Sequence, residues 1–375
     1  MSLHLDTRQR AMLQEMGVHV WSPRPAPVTA APVATDTAAS TASSAATRTA
    51  APTPVPTPAR TPRPAPSAPT TTSAAPAAPA APALPLVLLQ GNIPQDEKFQ
   101  PGSGVPMALQ WYGDRLTSLE GALVVAPETA IPLLPQQLTP GYLDAIVQHF
   151  SQDGQATLLG IPLGSLEAGY TNSVLGFAPG QAAPYRYDKH HLVPFGEFVP
   201  PFFRWFTERM NIPLGDFSRG GVAQAPFAWH GERIAPNICY EDLFGEELGT
   251  HFAQPENAPT VFVNLSNIGW FGNTLAIDQH LVISRMRTLE FERPMVRATN
   301  TGATAIIDHR GVVTHQLERH MRGMLKGAVQ GRSGAVTPYA AWVSRFGLWP
   351  LWSLGGLVLA IAAVRRRRSG QIHTG

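Results

Sequence analysis

Between Leu84 and Gly311 the apolar positions fall into short unbroken runs, separated by segments with helical spacing. LPLVLLQGN (84–92) and ALVVAPET (122–129) read as strands buried on both faces, because a strand with one wet face would alternate polar and apolar residues. TLLGIPL (157–163), NSVLGFAP (172–179), PTVFVNLSN (259–267), PMVRATNTG (294–302) and TAIIDHRG (304–311) carry the strand signature, and a Thr-Gly turn joins the last two. MALQWYGDRLTSLE (107–120), residues 138–152, EDLFGEELGTHFAQ (241–254) and residues 277–291 have the spacing of helices. The last is expected to turn Leu281, Val282, Met286 and Leu289 toward the core. Strands alternating with helices predict an α/β fold with helices covering the strands. No internal repeat is visible.

The pattern fails on both flanks. Residues 1–21 read as a short amphipathic helix, without the apolar stretch or cleavage site of a signal peptide. Residues 22–83 are almost all Pro, Ala, Thr and Ser, and sixteen of the 37 prolines lie between Pro23 and Pro85. Such a segment buries too little apolar surface to offset the entropy of ordering it, so an extended, disordered linker is expected. Order is expected over 84–345. Phe346–Val364 then has no charge, begins among Trp342, Trp349 and Trp352, and is followed at once by Arg365–Arg368. That pattern predicts a transmembrane helix over 346–364 and a basic cytoplasmic tail over 365–375, with the main domain on the other side.

Composition narrows the chemistry. The chain has 375 residues, a net charge of +2 and only 14 % charged residues. No basic stripe marks a nucleic-acid surface. A single cysteine, Cys239, excludes an intramolecular disulfide and a cysteine-based zinc site.

Cys239 ends the apolar run of ERIAPNICYED (232–242), where an α/β enzyme presents a nucleophile, although a lone cysteine is also an ordinary small core residue. Glu241 and Asp242 beside it should raise its pKa, so the thiol needs a base and a compensating cation. Glu128, leaving the strand LVVAPE, is the candidate base. Desolvation is expected to raise its pKa; taken alone it is equally a turn residue ahead of Pro132. Lys189, within YRYDKHHLVPFGEF (185–198), is the candidate cation for the thiolate and for an oxyanion, or a solvated loop lysine. Glu197 is a second carboxylate that can orient the lysine or pair on the surface. His190 and His191, adjacent on an extended segment, point to opposite faces and make poor joint metal ligands.

PET (127–129), KHHLVPFGE (189–197) and NICYED (237–242) resemble the three signature segments of the nitrilase, or carbon–nitrogen hydrolase, superfamily. QGNIPQ (90–95), ETAIPL (128–133), HLVPFGEFVP (191–200), SNIGWFG (266–272) and RATNTGATAIID (297–308) are similar to its apolipoprotein N-acyltransferase branch. The resemblance implies a four-layer αββα sandwich, with Glu128 as general base, Lys189 as oxyanion-stabilising cation and Cys239 as nucleophile. Glu197, Tyr240 and Glu241 match further positions that matter for activity. Phe99, where the branch usually has Trp, and Trp270 join them as substrate-binding or supporting residues. Ile268 stands where the branch commonly has Asp.

The implied reaction is ping-pong. The sn-1 acyl chain of a phospholipid passes through a Cys239 thioester to the α-amino group of a diacylglyceryl-cysteine at an apolipoprotein N-terminus. No cofactor or metal is implied. The implied setting is the bacterial inner membrane, with the catalytic domain on the periplasmic side. The aromatic segment FVPPFFRWFTERMNIPL (198–214) is expected to dip into lipid or line the acyl chain. The branch also carries a block of N-terminal transmembrane helices, which this sequence is expected to lack. A soluble amidase acting on small amides and an inactive membrane-tethered remnant are the alternatives.

Overall fold

The computed structural model of the chain describes residues 83–165, 167–194, 196–198 and 217–371. The amphipathic helix expected over 1–21, nearly all of the 22–83 linker and most of the aromatic segment 198–214 lie outside the described residues.

Each apolar run becomes a strand. β1 (Leu84–Gln90), β2 (Leu123–Ala126), β3 (Ala156–Ser165), β4 (Gly169–Phe177) and β5 (Tyr185–Asp188) join the later β12 (Gly323–Val329) in one sheet. Its order is β12-β1-β2-β3-β4-β5, with β1, β2 and β3 mutually parallel. β6 (Phe227–Trp229), β7 (Glu232–Ile238), β8 (Val261–Ser266), β9 (Met295–Thr299), β10 (Ala305–Ile307) and β11 (Val313–Gln316) form the second, ordered β11-β10-β9-β8-β7-β6. There β7, β8 and β9 are parallel.

Period-2 alternation assigns each side of a strand to its own core. Leu86, Leu88, Leu123, Val125 and Leu158 of the first sheet pack with Ile234, Ile238, Val261, Val263, Leu265 and Val296 of the second, forming the inner layer. Val87, Leu89, Val124 and Leu159 face outward onto α1 (Gly104–Leu116) and α2 (Tyr142–Phe150), meeting Ala108, Tyr112, Ile146 and Phe150. Ala235, Phe262 and Met295 meet Leu248 of α3 (Gly245–Gly249), Phe291 of α4 (Leu275–Phe291), and Ala340 and Val343 of α5 (Pro338–Phe346). The result is the four-layer αββα sandwich that the resemblance implies. Full burial of each such side chain contributes roughly 1.5–3 kcal/mol, so continuous apolar runs are what a strand covered on both faces requires.

Two expectations need correction, and the C-terminal helix differs in its bounds. The helix expected over 241–254 is a 3-10 turn, Cys239–Leu243, then α3, then a second 3-10 turn, Thr250–Phe252. Glu241 and Asp242 turn inward to buried partners, which a continuous amphipathic helix would not allow. α4 exists, but only Leu281 of the four expected residues is buried; Val282, Met286 and Leu289 are exposed. Its inward side is largely polar, with His280, Ser284, Arg287 and Thr288 beside Ile277, Leu281 and Phe291. At the C-terminus Phe346 closes α5, Gly347 (φ +52°) interrupts the backbone, and α6 runs from Trp349 to Gln371. Among the described residues no single helix is long and apolar enough to cross a membrane. Pro338–Phe346 and Trp349–Arg366, bent by 72°, meet that length and composition only together.

One glycine shapes the turn that carries Glu128. A Cβ on Gly160 of β3 would lie 2.6 Å from the Thr129 nitrogen and 2.7 Å from the Glu128 Cα, against fixed backbone. Gly160→Ala is therefore expected to lower stability by about 1–3 kcal/mol by pushing that turn off the sheet. Denaturant melts check the cost, which Gly176→Ala should not share to the same degree, because its Cβ would meet only side-chain atoms, 3.0 Å away.

Candidate active site

The carboxyl ends of the parallel strands of both sheets meet, and a side chain stands at each. Glu128 follows β2 by two residues, Cys239 directly follows β7, Asn267 directly follows β8 and Asn300 directly follows β9. Lys189 directly follows β5 at the edge of the first sheet. Crevices outside the carboxyl ends of parallel strands are where α/β folds place reacting groups, because the chain there leaves the apolar layer.

Lys189 is 1 % exposed, and its Nζ lies 3.2 Å from Glu128 Oε1 and 2.9 Å from Glu197 Oε1. Asn172 of β4 donates through Nδ2 to the same two oxygens, at 2.7 Å each. The second oxygen of each carboxylate is also held. Glu128 Oε2 accepts the Asn267 amide at 2.8 Å, and Glu197 Oε2 accepts the Val193 amide at 2.8 Å. Half-buried Cys239 feels the charges of Glu128, Lys189 and Glu197 and the opposing influence of the Asn267 amide. The structure thus brings together Glu128, Lys189, Glu197 and Cys239, which are far apart in sequence.

The electrostatics differ from the sequence expectation at Glu128. Burial pushes its carboxyl upward, but the Lys189 and Lys98 ammonium groups and the Asn172 hydrogen bond outweigh it. Glu128 is held below the usual carboxylate range, not above it. Burial pulls Lys189 downward, yet Glu128 and Glu197 hold it above its ordinary value. Burial, reinforced by Glu128, pushes the Cys239 thiol up against the opposing pull of Lys189 and the Asn267 amide. The direction at Cys239 is the expected one, but its cause is not Glu241 or Asp242. At rest the site holds a thiol beside an ionised carboxylate.

Cys239 has φ +54°, in the left-handed region that costs an L-residue roughly 1–2 kcal/mol. Neighbouring carboxylates hold that strained elbow. Glu241, 3 % exposed, accepts the Ile238 amide at 2.6 Å and the Tyr187 hydroxyl at 2.8 Å on Oε2. Its Oε1 accepts the amides of His190 at 2.7 Å and His191 at 3.0 Å. One side chain therefore ties the strand that ends at Cys239 to the segment that carries Lys189. Asp242, fully buried, accepts His280 Nε2 at 2.7 Å, Arg297 Nη1 at 3.1 Å and the Ser284 hydroxyl. This explains the polar inward side of α4. Asn264 Nδ2 donates to the Cys239 carbonyl at 2.8 Å.

The other expected residues lie nearby. The Tyr240 ring centroid is 6.0 Å from Lys189 Nζ, and its hydroxyl donates to the Leu192 carbonyl at 3.1 Å. Phe99 is half-buried next to Lys98, with its ring centroid 5.8 Å from Lys98 Nζ. Trp270 is 64 % exposed and so free to meet a ligand, while Ile268 is buried in a core cluster with Ile277 and Leu281. His190 and His191 have separate duties: His190 Nδ1 pairs with the Gly220 carbonyl at 2.8 Å, and His191 Nδ1 with Glu247 at 2.8 Å.

Sequence reasoning missed Lys98, Asn172, Asn267, Asn300 and the Asp242 cluster. Asn172 and Asn267 offered a signal, a polar amide interrupting or ending an apolar run. Lys98 offered none, since DEK (96–98) reads as a solvated turn.

Glu241→Gln replaces one acceptor oxygen with an NH2 that must face existing donors. The variant is expected to lose about 2 kcal/mol or more in denaturant melts. Leu243→Gln, at an exposed position in the same turn, is expected to change stability by less than about 0.5 kcal/mol.

Residues 109–338 match the model of the carbon-nitrogen hydrolase family. Among curated relatives, the apolipoprotein N-acyltransferase of Verminephrobacter eiseniae is 73 % identical over 268 residues, covering 70 % of this chain and 50 % of that protein. The apolipoprotein N-acyltransferase of Ralstonia nicotianae is 48 % identical over 283 residues, covering 76 % and 53 %. The chain spans about half the length of these curated relatives. Among solved structures, a CN-hydrolase superfamily protein of Xanthomonas campestris shares the fold, with TM-score 0.50 and 19 % identity over 71 % of this chain and 96 % of that one. The chain belongs to the carbon-nitrogen hydrolase family.

Proposed function

We propose that this chain carries the catalytic domain of an apolipoprotein N-acyltransferase. It takes the sn-1 acyl chain from a phospholipid, holds it as a thioester on Cys239, and passes it to the α-amino group of a diacylglyceryl-cysteine at an apolipoprotein N-terminus. The observation that carries this reading is the Glu128–Lys189 ion pair, 3.2 Å long, set beside the Cys239 thiol under the Asn267 amide. The high identity to relatives bearing that enzyme name supports the choice among carbonyl chemistries.

The resting state dictates the order of steps. Cys239 keeps its proton until a carbonyl is in place, because burial and Glu128 both disfavour the thiolate. Glu128 takes that proton as the sulfur attacks the ester carbonyl, and the Lys189 ammonium holds the developing oxyanion. Glu128 then returns the proton to the departing glycerol oxygen, leaving a lysophospholipid and a thioester. In the second half the acceptor amine attacks the thioester and Glu128 accepts a proton from nitrogen. The collapsing intermediate releases an amide and restores the thiol, reprotonated by Glu128. A thioester preserves the ester's reactivity, and an amine outcompetes water where the site is dry.

The C-terminal helices fit a lipid setting. On α6, Trp349, Leu351, Trp352, Leu354, Leu357 and Leu359 are exposed, a surface that lipid would cover. Arg365–Arg368 at its far end favours the cytoplasmic face, which leaves the catalytic domain periplasmic.

The purified full chain, incubated in detergent with phospholipid labelled in the sn-1 acyl chain, is expected to acquire hydroxylamine-labile label at Cys239. It should release that label to a diacylglyceryl-cysteine peptide. Glu128→Gln, Lys189→Met and Cys239→Ser are each expected to reduce transfer by about 10³-fold or more while leaving the fold intact. Failure of the wild-type chain to take label, combined with ammonia release from small amides, would replace this reading with an amidase.

A further inference from the structure

Counted by charge, the cluster of Glu128, Glu197 and Lys189 is incomplete. Two carboxylates share one ammonium, which leaves one negative charge in a buried site. Moving a proton from Cys239 to Glu128 transfers that charge to sulfur without removing it. An uncompensated charge away from water is costly, and it opposes formation of the thiolate.

A second ammonium stands beside the cluster. Lys98, in the turn after β1, is 2 % exposed, and its Nζ donates to the main-chain carbonyl of Glu128 at 2.9 Å. Among the described residues it forms no ion pair of its own. Its field acts on the Glu128 carboxylate and on Cys239. Burial pulls it down to about 8 against the upward pull of those two groups, so it remains mostly charged at neutral pH. The groups that face the thiol come from five places: Lys98 after β1, Glu128 after β2, Lys189 and Glu197 after β5, the Asn267 amide after β8 and Arg297 on β9. Arg297 is already committed to Asp242, at 3.1 Å. Lys98 is the cation left to balance the site.

We propose that Lys98 is a positioning residue that completes this charge balance. Its ammonium, anchored on the Glu128 carbonyl, fixes the strand end that carries the base and offsets the negative charge that passes from the Glu128 carboxylate to the Cys239 sulfur. The inference concerns the same site as the acyl-transfer reading, but it is tested on the thiol itself, without lipid.

The experiment measures alkylation of Cys239 by iodoacetamide in the full chain, by mass spectrometry, from mildly acidic to alkaline pH. Lys98→Met is expected to slow alkylation at neutral pH about tenfold, and the difference is expected to shrink as the pH rises past about 8, where Lys98 itself loses its proton. Lys98→Arg, which restores the cation, is expected to stay within about threefold of the wild type. Thermal melts establish that each variant is folded. If Lys98→Met does not fold, Lys98→Gln carries the test, since it keeps a donor to the carbonyl and removes the charge. A folded neutral variant with the wild-type profile overturns the proposal, as does a folded Lys98→Arg as slow as the neutral variant. Loss of acyl transfer with an unchanged alkylation profile counts against Lys98 alone. A wild-type chain that never takes label, with the expected alkylation shifts, counts against the acyl-transfer reading alone.

Discussion

The Lys189 ammonium, buried and shared between Glu128 and Glu197, is the interaction on which the site depends. A lysine this deep survives only because carboxylates meet it. Against the upward push of burial, that ammonium, with Lys98 and the Asn172 hydrogen bond, holds Glu128 below the usual carboxylate range. Each partner is held again by neutral donors, Asn172 Nδ2 on both and the Asn267 and Val193 amides on one each. Glu128 therefore has a set position and a set protonation state. That arrangement sets an ionised carboxylate near a protonated thiol.

Such a cluster is stable only on rigid supports. The supports are strand ends of two sheets whose inner faces share one apolar layer. The less regular backbone is confined to the turns beyond them, where Cys239 (φ +54°) and Thr129 (φ +46°) adopt left-handed conformations. Glu241 and Asp242 restrain the first of these turns, one by gathering backbone amides and the other by binding α4 and β9. These two acids, close to Cys239 in sequence, act on it through geometry more than through charge. The polar inward side of α4 follows from the same need, since Asp242 requires His280, Ser284 and Arg297.

Much of this was readable from residue order. Short unbroken apolar runs bounded by turn residues suit strands covered on both faces, so β1, β2, β3, β4, β8 and β9 were legible as elements. Cys239 and Glu128 stood out because each ends such a run, and Lys189 because it lies in a polar stretch inside an otherwise apolar region. β5 and β12 were not legible: β5 carries Arg186 and Asp188, and β12 has little apolar character, so neither advertises itself. Glu241 was legible as a site residue, but its role as a clamp on the amides of Ile238, His190 and His191 was not.

Sequence by itself determined the covered strands and marked Cys239 and Glu128 as candidates for nucleophile and base, because burial and the ends of burial are local properties of the chain. Tertiary structure decided the charge state of Glu128. Glu128 sits below the usual carboxylate range instead of above it because Lys98, Asn172 and Lys189 reach it from other segments. Coulomb energy depends on distance in space, and no spacing along the chain contains that distance.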